Sequence, residues 1–278
     1  MRIAISTESA VDLSNELIKE YNIAVTPFTI NLGSESIVDK EGVSFEIFDY
    51  VNKNKVLPKT SAVSPDQFRE HFEKLLEEYD EVVHISISAH LSSAYNNARL
   101  TAEGMEKVYV VDSRTLSTGI ALLAIKGREF AEKGMKGKEI ADKLNELKQK
   151  LNVSFVIEKL NYLHKGGRCS ALTLLGANVL KIKPQIIVKD GRMVVGKKYM
   201  GALNKIVKKY ADDAFEESKD IDLDHVFITH SSEMPECQSA IREKLESIGV
   251  KNIYDTYAGG TISSHCGPNC IGVLFFDK

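Results

Sequence analysis

Nowhere does this sequence run apolar for the roughly 20 residues that a bilayer-crossing helix needs, so no membrane span is expected. It also lacks a surplus of positive charge: 36 Lys and Arg stand against 39 Asp and Glu, a formal net charge of −3 with no basic run. That balance removes the usual footprint of a nucleic-acid surface. The opening "MRIAIS" enters a strand-like run at once, without signal-peptide architecture, so a cytoplasmic location is expected. Cysteine is scarce, four in all, and would stay reduced in that compartment. Cys169 and Cys237 are isolated, while Cys266 and Cys270 form C-x₃-C and not the C-x₂-C of redox or zinc motifs. A Walker loop, a G-x-G-x-x-G after the first strand and a G-x-S-x-G elbow are all missing, so nucleotide binding and elbow-type hydrolysis lack support. No Pro/Gly/Ser-rich linker, internal repeat or low-complexity tract divides the chain.

What is present is an α/β pattern. The 278 residues are 43% hydrophobic and 27% charged, enough for one large or two ordinary cores in a soluble globular protein. The first half alternates strand-like and helix-like runs: "RIAIST" (2–7), helix 13–21, "IAVTPFTINL" (23–32) as a second strand, then a helix from Ser64. Ser64-Pro65-Asp66-Gln67 is a capping box with proline at the first helical position, and Phe68, Phe72, Leu75, Leu76 and Tyr79 share the following helix's apolar face. Strand 81–88, a helix from about Ser92, strand 107–112 and a long helix from Ser117 complete an order that predicts a parallel sheet covered on both faces.

The second half reads as a mixed sheet. Strand 154–158 precedes two strands around Asp190-Gly191, a strong hairpin signal. A helix from Ala202 carries Leu203, Ile206, Val207, Tyr210, Ala214 and Phe215 on one face. Strand 225–230, helix 234–248 and strands 252–257 and 271–276 follow. The expected organisation is therefore an N-terminal parallel-sheet domain over 1–150 and a C-terminal mixed-sheet domain over 151–278.

Polar clusters fall where strands should end: Thr7-Glu8-Ser9, Thr60-Ser61, Ser86 through Ser93, and Ser264-His265. Ligands of α/β sheets bind beyond the carboxyl ends of strands, near helix N-termini. The plainer account of Ser92 and Ser93 is that they are helix caps. "GGTISSHCGPNCIG" (259–272) has enough Gly and Pro to read as a tight loop carrying His265. A zinc site there would need a fourth ligand, and a Cys266–His265 nucleophile would need adjacent side chains to face each other. Lys165-Gly166-Gly167-Arg168 fits either an anion cradle or a helix C-cap. The residues by themselves thus describe a hydroxyl-rich pocket with one histidine, able to hold a carboxylate or phosphate, and no metal set.

Seven stretches, in order, resemble the DegV family, the fatty-acid-binding subunits of bacterial fatty acid kinases. They are "TES" after the first strand, "KTSAVS" (59–64), "ISAHLSSAYNNA" (87–98), "VVDSRTLSTG" (110–119), "LNYLHKGGRCS" (160–170), "LKIKP" (180–184) and "SSHCGPNCIG" (263–272). The resemblance implies a two-domain DegV-like fold and a lipid carrier, not an enzyme, with a long-chain fatty acid as ligand and no cofactor or metal. It implies that Thr60, Ser92 and His265 hold the carboxylate, with Ser61 and Ser93 beside them. It further implies a separate ATP-dependent kinase partner whose acyl-phosphate product enters phospholipid synthesis. Glu8 replaces the family's usual Asp, Val63 its Pro, Ser93-Ala94 its Gly-Thr and Asn269 its last Gly. The rival readings are a small acyl hydrolase using Ser92 and His265, which needs an acid near the histidine, and a dihydroxyacetone-kinase-like substrate subunit, which needs a small polar pocket.

Overall fold

The computed structural model describes residues 1–169, 182–216, 218 and 220–278. Ser170, Leu180 and Lys181, which belong to two of the stretches above, lie outside them. β1 (Ile3–Glu8) is buried at every position, the mark of a central strand covered on both faces. α1 (Asn15–Glu20) begins where Ser14 accepts the amide of Leu17 and leads to β2 (Ile23–Thr26).

The single strand expected over 23–32 is in fact two. Pro27 has no N–H for a ladder, so β2 stops at Thr26 and β3 (Thr29–Leu32) joins a different sheet. β3 pairs antiparallel with β4 (Glu35–Val38) and with β5 (Lys59–Ser61), and α2 (Val43–Asn54) lies between those two in the chain. α3 (Pro65–Glu78) opens on the expected Ser64/Gln67 capping box and buries Phe68 and Phe72. β6 (Glu81–Ser86), α4 (Ala94–Ala102), β7 (Val108–Asp112), α5 (Thr118–Glu132) and α6 (Gly137–Leu147) follow.

The first sheet is wholly parallel, in the order β2-β1-β6-β7. From β1 the chain moves outward one way to β2, and from β6 the other way to β7. The switch point is therefore the crevice at the carboxyl ends of β1 and β6, the place where such sheets bind ligands. Glu8 and Ser86 end those two strands and meet there at 2.5 Å, the serine hydroxyl donating.

The second half gives β8 (Leu151–Ile157), α7 (Leu160–Gly166), β9 (Ile182–Lys189), β10 (Arg192–Met200), α8 (Leu203–Glu216), β11 (His225–His230), α9 (Pro235–Ser247), β12 (Asn252–Tyr257), α10 (Gly260–Cys266) and β13 (Cys270–Phe276). Their sheet runs β10-β9-β8-β13-β11-β12. It is mixed as expected: β11 and β12 are parallel and the other pairs antiparallel. Asp190 and Gly191 both take positive φ (49° and 77°), as a two-residue hairpin turn of type I′ requires. α5 packs on β1 and β6 of one sheet and on β8, β11 and β13 of the other. Between two sheets it can be apolar on all sides, and its residues 118–125 are buried throughout.

One expectation is corrected at the end of the chain. His265 lies on no loop; it sits in the last turn of α10. The glycines at 259 and 260 occupy the cap and first position, and Pro268 lies past the end, so nothing between them breaks a helix. The free N–H groups at its start meet carboxylates from far away: Gly259 N donates to Asp12 (2.8 Å), while Gly260 N and Thr261 N donate to Asp39 (2.8 and 3.1 Å). Gly260 also has no room for a side chain, since a Cβ there would lie 2.3 Å from Ile30 and Val43. α10 thereby docks on α2, β3, β5 and α7.

Candidate carboxylate-binding site

The last residues of β6 lead into a tight turn in which the amides of Leu91 and Ser92 both donate to Ser88 O. The turn points Ile87, Leu91, Ser92 and Ser93 into a cavity of about 140 Å³ beyond the switch point. β5 adds Thr60, α10 adds Thr261, Ile262, His265 and Cys266, and the segment after α7 adds Arg168. The β9–β10 hairpin completes the wall with Met193; its tip is pinned where Ser88 Oγ donates to Gly191 O at 2.8 Å. Apolar side chains (Phe28, Ala62, Ile87, Leu91, Leu116 and others) make up most of the lining. Behind Leu116, Ile262 and Cys266 the same walls enclose a second void of about 20 Å³ against Val153, Phe155 and Leu274.

Within the lining of the main cavity, Thr60 Oγ1 and His265 Nε2 are 2.9 Å apart although 205 positions separate them in sequence. Burial, and secondarily the Arg168 charge, lowers the His265 pKa to about 4. The ring is therefore neutral at pH 7 and carries one N–H. Among the described residues, His265 Nδ1 is buried with no hydrogen-bond partner. An unpaired buried N–H costs more than an unused lone pair, so the proton is assigned to Nε2, facing Thr60. If Nε2–H donates to Thr60 Oγ1, the threonine hydroxyl is left free to donate onward. Ser92 Oγ accepts from Ala94 N (3.2 Å), which likewise leaves its own O–H available. Ser93 occupies the α4 cap position without a side-chain cap bond.

The structure thus brings Thr60, Ser92, Ser93 and His265 to one cavity. It turns Ser61 away: neighbouring strand residues face opposite sides, and exposed Ser61 accepts from Asn31 Nδ2 at 3.0 Å. Gly167 is the left-handed C-cap of α7 (φ 70°), and Arg168 folds back over that helix end, donating to Gly166 O at 2.7 Å. Among the described residues no group of three or more His, Cys, Asp or Glu could hold a metal ion. With Nδ1 unpartnered, no carboxylate among the described residues orients His265 as an acyl-transfer relay would need. A Ser6–His84–Glu8 row does exist, at 3.0 and 3.2 Å, but all three are fully buried, so it serves the sheet and offers no nucleophile.

Two substitutions relative to the family pattern have clear local accounts. Glu8 accepts from Ser86 Oγ, from Ile87 N at 3.1 Å and from His84, and so fixes the strand end that supplies Ile87 to the cavity. Asn269 adopts φ 57°, a conformation that asparagine tolerates better than most residues do. Sequence reasoning missed the cavity roles of Arg168, Met193, Leu116 and Thr261. The only signal for Arg168 was its place after Gly166-Gly167.

The whole chain, residues 2–278, matches the profile described as "Uncharacterised protein, DegV family". The chain belongs to the DegV family. A DegV domain-containing protein of Caldanaerobacter subterraneus subsp. tengcongensis is 30% identical over 282 residues, covering 100% of this chain and 99% of that relative. Among solved structures, a fatty-acid-binding DegV family protein from Thermus thermophilus is similar at TM-score 0.91 and 27% identity, with 100% of both chains covered. The fatty acid kinase (Fak) B3 protein of Streptococcus pneumoniae, loaded with linoleic acid, shares the fold at TM-score 0.85 and 18% identity, again over 100% of both chains. The parallel four-stranded sheet followed by a mixed six-stranded sheet is thus a DegV fold. No helix among the described residues is long and apolar enough to cross a membrane.

Proposed function

We propose that this chain binds a long-chain fatty acid, its carboxylate held by Thr60, Ser92 and His265 with Ser93 alongside, and presents it to a separate ATP-dependent kinase subunit for acyl-phosphate formation. The observation that carries this reading is a mostly apolar cavity whose lining also holds the Thr60–His265 pair and the Ser92 hydroxyl. Each buried CH₂ contributes about 0.8 kcal/mol, so a long tail supplies ample affinity. A buried carboxylate without partners is costly; the hydroxyl donors, and the His265 Nε2–H as it turns from Thr60 to the bound carboxylate, offset that cost without adding a charge of their own. The tail would run from these donors toward the second void, parting Leu116, Ile262 and Cys266 on the way. The fatty acid bound by the Thermus thermophilus relative supports the ligand class, and the family resemblance supplies the kinase. The ligand would lie between two units that divide near residue 150, where the strands of the parallel sheet have ended and those of the mixed sheet begin.

The chain acts as a carrier, and the phosphoryl chemistry belongs to the partner. Incubated alone with oleate and Mg-ATP, the purified protein should form no acyl phosphate, measured as hydroxamate after hydroxylamine trapping. Adding a fatty acid kinase catalytic subunit should produce it. Saturable ester hydrolysis by the chain alone, lost in Ser92→Ala, would replace this reading with the hydrolase.

A further inference from the structure

Cys266 and Cys270 have no part in the function proposed above, yet the fold sets them together. Cys266 ends α10 and Cys270 begins β13, with left-handed Gly267 and Asn269 (φ 72° and 57°) turning the chain between them. The Ser231 hydroxyl clamps that turn, donating to Gly267 O at 2.7 Å and accepting from Cys270 N at 3.0 Å. Both residues are buried and line the same small void. Cys266 forms part of the wall of the main cavity, whereas Cys270 is absent from that wall and lines the small void behind it. A small reagent therefore reaches Cys266 first, and it does so through the cavity.

We propose that Cys266 and Cys270 are a redox-modification site, a dithiol reached through the cavity that closes to a disulfide when the cavity is empty and is shielded when the cavity is filled. The shielding rests on the fatty-acid reading; the disulfide does not. The oxidant is a small peroxide. The Cys266 sulfur, as thiolate, attacks one oxygen of hydrogen peroxide, the O–O bond breaks, and the departing hydroxide takes up the thiol proton and leaves as water. The Cys270 sulfur then attacks the resulting sulfenic acid, forming the S–S bond, while its own proton and the sulfenic hydroxyl leave as a second water. Two thiols and one peroxide become one disulfide and two waters. The neighbouring Cys266 side chain and burial raise the Cys270 thiol well above its ordinary range, so its thiolate is scarce and the resolving step is slow as well. Cys266 lies at a helix C-terminus, where a thiolate gains nothing from the dipole, so the reaction is slow and needs sustained oxidant.

The test uses the full chain, delipidated, exposed to hydrogen peroxide with or without saturating palmitate, with occupancy checked by native mass spectrometry. Peptide mapping after alkylation should find a Cys266–Cys270 disulfide in the empty protein. Palmitate should slow its formation about tenfold, the factor expected when nine-tenths or so of the cavities are filled. Cys270→Ser should stop at a sulfenic acid on Cys266 that dimedone captures. Both thiols staying reduced, or oxidation confined to Cys169 or Cys237, would overturn the proposal. Equal rates in empty and palmitate-filled protein would overturn the shielding. Failure of palmitate to bind at all would instead overturn the function proposed above, and the disulfide in the empty chain would still decide this inference.

Discussion

A carboxylate taken out of water loses several kcal/mol of hydration unless donors replace it, and at the residue scale the site is a set of such donors. A hydrogen bond to a charged group is worth about 1.5–3 kcal/mol, so Ser92→Ala should weaken fatty acid binding by about ten- to a hundredfold. Its circular dichroism and thermal midpoint should stay close to the parent's, because among the described residues the Ser92 hydroxyl only accepts a local hydrogen bond from Ala94 N. A fluorescent-fatty-acid titration that finds unchanged affinity would remove Ser92 from the site. A second prediction follows from the neutral imidazole. Burial lowers both His265 and His71 to about 4, whereas an unfolded histidine titrates near 6.5. Between those values the unfolded histidines take up protons that the folded ones refuse, so the stability these two residues contribute is complete above about pH 6.5 and is lost as the pH drops toward 4. Urea unfolding at pH 7.5, 6 and 5 should show this loss, and His265→Asn should make it shallower, leaving the share of His71. An identical slope in the variant would contradict the assignment. Residues of this kind were only partly legible. Thr60, Ser92 and His265 stood out as hydroxyl or histidine clusters and by family resemblance. Their convergence, and the part played by Arg168, come from contacts across 77 positions or more, which local pattern does not encode.

The elements that carry these residues are short and held mostly from outside. α10 spans Gly260–Cys266, too short to persist by itself, and is fixed by Asp12 and Asp39 at one end and by α7 along its side. Its dependence on tertiary partners is why the sequence there reads as a loop. β3 was read only as the continuation of β2, and β4 and β5 were illegible for a related reason: strands of three or four residues, several of them exposed, show no stable alternation. The long buried strands, the capping box at Ser64 and the Asp190-Gly191 turn were legible because each rests on local chemistry. The α7–α10 contact gives a third prediction. A Cβ on Gly166 would lie 2.6 Å from His265 Nδ1. Alanine in a helix gains about 0.8–1.0 kcal/mol over glycine, but overpacking costs about 1–3 kcal/mol, so the clash should win. Gly166→Ala should lower the denaturation midpoint and, by displacing the ring from Thr60, reduce fatty acid affinity. A variant more stable than the parent, with affinity unchanged, would show that the helix yields instead.

Across the whole molecule, two sheets share α5, and the cavity lies where β6 of one, the β9–β10 hairpin of the other, and α10 meet. The alternating first half and the hairpin-bearing second half made both sheets readable from sequence, since a parallel and a mixed sheet impose different periodicities. A hydroxyl-bearing pocket was readable, but the apolar walls that shape it were not, because they arise from packing that no single segment specifies. Its central claim is occupancy by a long-chain acid, and the most direct test is to purify the protein without added lipid, denature it, and identify by mass spectrometry what is released. The account predicts a fatty acid of 14 to 18 carbons, about one per chain, the length at which tail burial at about 0.8 kcal/mol per CH₂ outlasts purification. Release of no acid, together with failure of the native protein to retain added palmitate or oleate, would contradict it.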